Sequence, residues 1–220
     1  MAVEVKICGI TRPEDAAHAV AHGADRVGVV FAWGPRVVSV DRARDIVAAA
    51  GSVPVLGVVS GDASTAHLLS LAEVSGLRGF QLHGSSSATT ARTLAAAGLE
   101  VWRVAQIASD ATMTEVLMHS SHGANVVLLE PLVAGRGGGR GIGLDLGLAR
   151  EAREQLVATR VGLAGGLTPA TVAAAIRFVG PDIVDVSSGV EDAPGIKSPE
   201  RVAHFLEAVR DAGSAPRSRS

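Results

Sequence analysis

The chain has 220 residues, 47% of them hydrophobic and 19% charged, with a formal net charge of −2. That size suits one large barrel or two small domains, and a core this large needs neither disulfides nor a structural metal. With 20 basic against 22 acidic residues and a single cysteine, the chain offers no footing for phosphate-backbone or anionic-membrane binding and cannot form an internal disulfide.

The start, Met1-Ala2-Val3-Glu4-Val5-Lys6, shows no apolar signal core, and no uncharged apolar run reaches bilayer length. A soluble, cytoplasmic protein is expected, with its thiol in a reducing compartment. A predicted strand at Val3–Cys8 precedes a predicted helix at Pro13–Ala21, and one at Arg26–Phe31 precedes a helix at Val40–Ala50. The pattern repeats with Pro54–Val59 and Ser64–Val74, then with Arg78–Leu82 and Ala88–Ala97. Predicted strands at Glu100–Val104, Asn125–Leu129, Arg160–Ala164 and Ile183–Val186 come next, again alternating with helical patterns. Gly23, Gly76, Gly98, Gly123 and Gly180 fall where each helix should end. Thr11 and Glu14 have capping-box spacing around Pro13, while Thr168-Pro169 and Ser198-Pro199 read as caps ahead of a first-turn proline. Eight strand–helix units predict an α/β fold, a closed (β/α)8 barrel in one domain over residues 1–212, with 213–220 a disordered tail. An open doubly wound sheet is the alternative. It lacks a Gly-rich dinucleotide fingerprint, since Gly9 stands alone after the first strand.

In such a barrel, chemistry belongs at the C-terminal strand ends. Cys8 ends the first strand, where a thiolate is a candidate base or nucleophile; otherwise it is a small buried hydrophobe. Glu130 emerges from the apolar run Val126-Val127-Leu128-Leu129 as a candidate general acid. Arg36 is suited to hold a carboxylate bidentately, against the commoner fate of a solvated loop arginine. Ala164-Gly165-Gly166 and Ser187-Ser188-Gly189 come after strands seven and eight, where bare backbone N–H groups cradle phosphate. The run Gly137-Gly138-Gly139-Arg140-Gly141 reads as a flexible loop or a cover over ligand. The seven histidines show no metal-ligand spacing, so no metal is expected, and His83 reads as a hydrogen-bonded loop residue unless the site uses it. Alternation also turns Lys6 and Asp185 inward on strands one and eight, adjacent once a barrel closes, and predicts that they pair.

Several motifs together resemble the phosphoribosylanthranilate isomerases of tryptophan biosynthesis, which are TIM barrels. They are Lys6-Ile7-Cys8-Gly9-Ile10-Thr11, Pro35-Arg36, Gln81-Leu82-His83-Gly84 and Leu128-Leu129-Glu130. Gly138-Gly139-Arg140-Gly141 with Asp145, Leu163-Ala164-Gly165-Gly166-Leu167 and Asp185-Val186-Ser187-Ser188-Gly189-Val190-Glu191 complete the set, running from Val5 to about Phe205. The resemblance implies Cys8 as general base and Glu130 in the position of the general acid, where the family usually has aspartate. It implies substrate binding by Arg36, Gln81, His83 and Asp185, and phosphate binding by Gly165, Gly166, Ser188 and Gly189. The family's usual Gly-Gly-Thr-Gly carries Arg140 in its third place, and the second-strand loop Ala32-Trp33-Gly34-Pro35-Arg36 is shorter than usual. The implied reaction is an Amadori rearrangement of a phosphorylated small molecule, needing no cofactor and no nucleic-acid or membrane partner.

Two other readings have weaker footing. A Schiff-base aldolase needs a lysine at a strand end, and the only two lysines, Lys6 and Lys197, are not placed there. A related isomerase of histidine synthesis is expected to carry aspartate where Cys8 stands. A barrel that binds phosphorylated metabolites without turnover would explain the unusual Glu130.

Overall fold

The structure, a computed structural model, describes residues 2–84, 88–107, 113, 117, 122–132 and 143–214. Eight parallel strands close into a barrel in the order β1 to β8. They are β1 (Glu4–Ile7), β2 (Arg26–Val30), β3 (Val55–Ser60), β4 (Gly79–His83), β5 (Glu100–Ile107), β6 (Val126–Pro131), β7 (Arg160–Leu163) and β8 (Ile183–Val186). Among the described residues the helices are α1 (Pro13–Ala21), α2 (Val40–Ala50), α3 (Thr65–Ser75), α4 (Ala88–Ala96), α5 (Leu146–Gln155), α6 (Val172–Val179) and α7 (Pro199–Ser214). The last helix takes in Gly213 and Ser214, while 215–220 and the expected glycine-rich loop of 137–141 lie outside the described residues.

Strand alternation sorts side chains into two cores. Residues such as Val5, Ile7, Val27, Val29, Leu163 and Val184 face outward and pack beneath Ala16, Ala19, Ile46 and Phe205 of the helices. The inward set, with Leu56, Trp102, Val104, Val126, Leu128, Ala164 and Ile183, fills the barrel. Below it lies a charged floor in which Arg26 binds both Glu4 and Glu100, Arg160 reaches Glu4 at 2.8 Å, and Trp102 Nε1 donates to Glu100 at 2.8 Å. Above it the interior turns polar, and that end is the mouth.

Local chemistry ends α3 and α6 at expected glycines, while the helix expected before Gly123 lies outside the described residues. Gly76 and Gly180 cap α3 and α6 in the left-handed conformation, which any Cβ would strain. Two expected caps are corrected. Arg12, not Thr11, precedes α1, and the Thr11 hydroxyl donates to the Gly195 carbonyl at 2.5 Å instead. Thr168 does not cap α6, because its carbonyl first accepts the N–H groups of Thr171 and Val172 in a tight turn and the helix starts only at Val172. One element was not foreseen. After a 3-10 turn at Ser188–Val190, β9 (Glu191–Ala193) and β10 (Ile196–Lys197) form a small antiparallel hairpin with Lys197 opposite Glu191.

Candidate active site

The barrel registers Lys6 beside Asp185 across the β1–β8 seam and Gln106 beside Glu130 across β5–β6. Lys6 is fully buried, and its Nζ donates to Asp185 Oδ1 at 3.0 Å and to Gln81 Oε1 at 2.7 Å. The pairing expected from alternation is therefore present. Burial alone would lower the Lys6 ammonium, but Asp185 and Cys8 outweigh it and hold it above the ordinary lysine range. The ammonium also lies 5.1 Å from the Trp102 ring centroid, with Arg26 at 5.8 Å from the same ring.

The bond from Lys6 orients both Gln81 and His83. Since Gln81 Oε1 accepts from an ammonium, its Nε2 is the donor facing His83 Nε2 at 2.8 Å. The neutral His83 ring then carries its proton on Nδ1, which faces Glu130 Oε2 at 3.9 Å. Burial, aided by Lys6, drives the His83 pKa down to about 4. Burial first, then the Asp185 charge, drives Glu130 up to about 8, with Lys6 opposing. Near pH 7 both groups are neutral, so their approach is not an ion pair. Glu130 is a buried carboxylic acid with a proton to give. Trp33, from the loop after β2, stands edge-on to His83 at 5.3 Å between ring centroids.

Cys8 comes directly after β1 and is buried, with its N–H bonded to Val186 at 2.8 Å. Burial pushes its thiol above the ordinary value, Asp185 adds to the rise, and Lys6 and Lys197 oppose it. The thiol fits only because β2 has glycine opposite: a Cβ on Gly28 would lie 2.9 Å from Sγ and 3.0 Å from Lys6 Cε. Cys8 and Glu130 thus share one electrostatic neighbour, the Lys6–Asp185 pair.

Arg36 reaches from the β2 loop over the end of β1 to the segment that follows β8. Its Nε and Nη2 donate to Glu191 at 2.8 and 2.6 Å, a bidentate pair that holds the carboxyl of Glu191 low despite burial. The stem lies so close over Gly9 that a Cβ there would meet Arg36 Cδ at 2.5 Å. Lys197 Nζ donates to Glu191 Oε1 at 2.8 Å and to the Ser187 carbonyl at 3.1 Å, and burial pulls this lysine below its ordinary range. Sequence reasoning placed Glu191 inside a motif without a role and set Lys197 aside; the two bracketing the hairpin turn of opposite charge was the available signal. The two glycine-rich loops meet: a Cβ on Gly189 would sit 1.9 Å from the Leu167 carbonyl oxygen. Gly165, Gly166, Ser188 and Gly189 are all partly exposed there. Asp145 is a helix cap, accepting the N–H groups of Gly147 and Leu148 at the start of α5. Among the described residues no cluster of three or more His, Cys, Asp and Glu side chains is arranged to hold a metal ion, and no helix is long and apolar enough to cross a membrane.

An enzyme of the (β/α)8 class, with a protonated carboxyl, a thiol and a pair of glycine-rich loops at the barrel mouth, is what fold and site define together. The family model described as N-(5'phosphoribosyl)anthranilate (PRA) isomerase matches residues 5–208, and the chain belongs to that family. The N-(5'-phosphoribosyl)anthranilate isomerase of Pseudomonas fluorescens is 40% identical over 210 residues, covering 95% of this chain and 96% of its own. That of Rhodopseudomonas palustris is 39% identical over 215 residues, covering 96% and 97%. Among solved structures, the phosphoribosyl anthranilate isomerase of Thermotoga maritima superposes with a TM-score of 0.84 at 32% identity, over 95% of this chain and 99% of its own. A phosphoribosyl anthranilate isomerase in complex with reduced 1-(o-carboxyphenylamino)-1-deoxyribulose 5-phosphate superposes with a TM-score of 0.81 at 31% identity, again over 95% and 99%.

Proposed function

We propose that Glu130 is the general acid and Cys8 the general base of an Amadori rearrangement, in which N-(5'-phosphoribosyl)anthranilate becomes 1-(2-carboxyphenylamino)-1-deoxyribulose 5-phosphate in tryptophan biosynthesis. Family membership supports the reaction. The observation that carries the residue roles is the buried Glu130 carboxyl, raised to about 8 at the barrel mouth, which keeps its proton at neutral pH.

Glu130 donates that proton to the furanose ring oxygen as the C1–O bond breaks, and the nitrogen lone pair forms the Schiff base. The Cys8 thiolate then takes the proton from C2, the electron pair moves into the imine, and the enolamine ketonises. The imine is the electron sink, so the chemistry calls for no cofactor. Lys6 is the cation nearest the thiolate in this scheme and offsets the burial that opposes it. Arg36 holds the anthranilate carboxylate through the guanidinium edge that Glu191 leaves open. Gln81, His83 and Asp185 line the sugar, and Gly165, Gly166, Ser188 and Gly189 receive the phosphate, so that binding energy from both ends orients the reacting carbons. A cytoplasmic setting, with no nucleic-acid or membrane partner, fits a lone thiol that must stay reduced and a near-neutral charge.

Fluorescence-monitored turnover of phosphoribosylanthranilate and binding of the reduced product analogue on one sample test this reading. Turnover is expected, and Cys8→Ser should reduce it by at least about 1000-fold while analogue affinity changes little. Binding without turnover in the unaltered chain would favour a barrel that only sequesters phosphorylated metabolites. Near-normal turnover by Cys8→Ser would return Cys8 to a packing role.

A further inference from the structure

The Arg36 guanidinium is already engaged before any substrate arrives. Its Nε–Nη2 edge is spent on Glu191, which leaves the Nη1–Nη2 edge of the planar fork for a second carboxylate. One carboxylate ordinarily neutralises one arginine, so Glu191 alone would leave little attraction for another anion. Lys197 changes that balance. Its ammonium lies 2.8 Å from the same Glu191 oxygen, so two cations share one anion and the cluster keeps one positive charge in excess.

The cluster is also built to stay still. Glu191 Oε1 accepts from Arg36, Lys197 and, at 3.3 Å, the Gly195 N–H, while the Glu191 carbonyl accepts from Arg201 at 2.5 Å. Lys197 is fixed through its own backbone, whose N–H donates to Asp15 at 3.2 Å, and Asp15 is in turn gripped by Arg12. The second Lys197 bond, to the Ser187 carbonyl, ties the clamp to the loop after β8.

We propose that Glu191 is the positioning residue for Arg36, and that Lys197 holds Glu191 while restoring the positive charge an aryl carboxylate needs. This rests on the reading of Arg36 as the carboxylate binder. The hairpin of β9 and β10 then exists to present Glu191 and Lys197 on one side, and the carboxylate subsite is assembled from the β8 side of the mouth although its arginine comes from β2.

Two probes separate this role from a general structural one: the reduced product analogue, and its counterpart in which aniline replaces anthranilate and the ring carboxylate is missing. Calorimetric titration should show the unaltered protein preferring the carboxylated probe. Glu191→Gln keeps the size and an acceptor but removes the charge that fixes the guanidinium. It should weaken the carboxylated probe by about tenfold, the worth of roughly one charge-assisted hydrogen bond, and move the other probe less than about threefold. In turnover, KM should rise more than kcat falls. Lys197→Gln, a second handle should Glu191→Gln fail to fold, keeps a donor without the charge and should show the same selective loss. Equal losses on both probes, or none, would overturn the proposal. Arg36→Met keeps the two failures apart. If it leaves the preference intact, the Arg36 reading fails; if it erases the preference while Glu191→Gln and Lys197→Gln do not, only the positioning role fails.

Discussion

At the scale of single residues, the acid and the base have their protons in the inconvenient places. Burial raises Glu130 to about 8 and lifts Cys8 above its ordinary 9.0, so the thiol titrates above the carboxyl. The productive form, thiolate with carboxylic acid, thus holds its proton on the group of lower pKa and is a minority at every pH. The kcat/KM profile of the free enzyme should therefore still be climbing at pH 7 and should peak above about pH 8. A profile already falling between pH 7 and 8 would mean that the acid is lost there with no further thiolate gained to offset it. Side-chain length matters as well. Glutamate carries its carboxyl roughly an ångström further from the backbone than aspartate, and a misplacement of that order costs up to about 100-fold. Glu130→Asp should retain part of the activity, whereas Glu130→Gln, which has no proton of suitable acidity, should abolish turnover and spare analogue affinity. Wild-type turnover in the glutamine variant would assign the acid to another group. His83 is a poor candidate for that group: at about 4 its pKa leaves it neutral, and its Nε2 is occupied as acceptor by Gln81.

At the scale of elements, the mouth is organised by close approaches between neighbouring loops. The loop after β7 and the loop after β8 touch at Leu167 and Gly189 with no space for a side chain, since a Cβ would fall 1.9 Å from a backbone oxygen. Backbone cannot yield as a flexible side chain does, so Gly189→Ala must spread the two loops. If they jointly bind phosphate, KM for phosphoribosylanthranilate and the dissociation constant of inorganic phosphate should both rise about tenfold or more while the fold persists. An alanine variant with unchanged phosphate affinity would show that the two loops act separately or that phosphate binds elsewhere. Gly28 opposite Cys8 is a comparable contact inside the barrel, but there the obstructing atoms are Sγ and the Lys6 stem, so alanine would disturb the base itself. The sequence made the long elements plain and the short ones obscure. Pro13–Ala21 and Val40–Ala50 end where predicted, because an Ala-rich periodic run is bounded on each side by a proline, serine or glycine. The hairpin of β9 and β10 has no such pattern. Three residues against two give no alternation to read, and its Glu191 is held by Arg36, which lies 155 residues away in the chain.

At the scale of the whole molecule, the interior alternates charge and oil along the barrel axis: a floor of Glu4, Arg26, Glu100 and Arg160, an apolar waist around Trp102, and a polar mouth. Parity arguments reached the Lys6–Asp185 pair and the facing of Cys8, because inward and outward positions are fixed once strands are known. They could not reach the direction of the pKa shifts, which depend on how many neighbours exclude water from each group. Those shifts set how stability depends on pH. Glu130 rises from 4.5 to about 8 on folding, so between these values the folded state holds a proton the unfolded chain has lost, and stability falls as pH rises. His83 drops from 6.5 to about 4, so between those values the unfolded chain holds the extra proton, and stability rises with pH. From about pH 4.5 to 6.5 the two slopes oppose and nearly cancel. From 6.5 to 8 His83 no longer opposes Glu130, whose slope of about 1.4 kcal/mol per unit removes about 2 kcal/mol. Below 4.5 Glu4 and Glu191, both held low by arginines in the fold, begin to protonate and stability falls again. The protein should thus be most stable in mildly acidic solution, on the opposite side of neutrality from its optimum for kcat/KM. Urea unfolding at pH 6.5 and pH 8 checks this: the unaltered chain should lose about 2 kcal/mol between them, and Glu130→Gln, which has nothing to titrate at that position, should lose much less. Equal losses in the two proteins would mean that Glu130 is not buried as a neutral acid, and the source of its catalytic proton would have to be sought elsewhere.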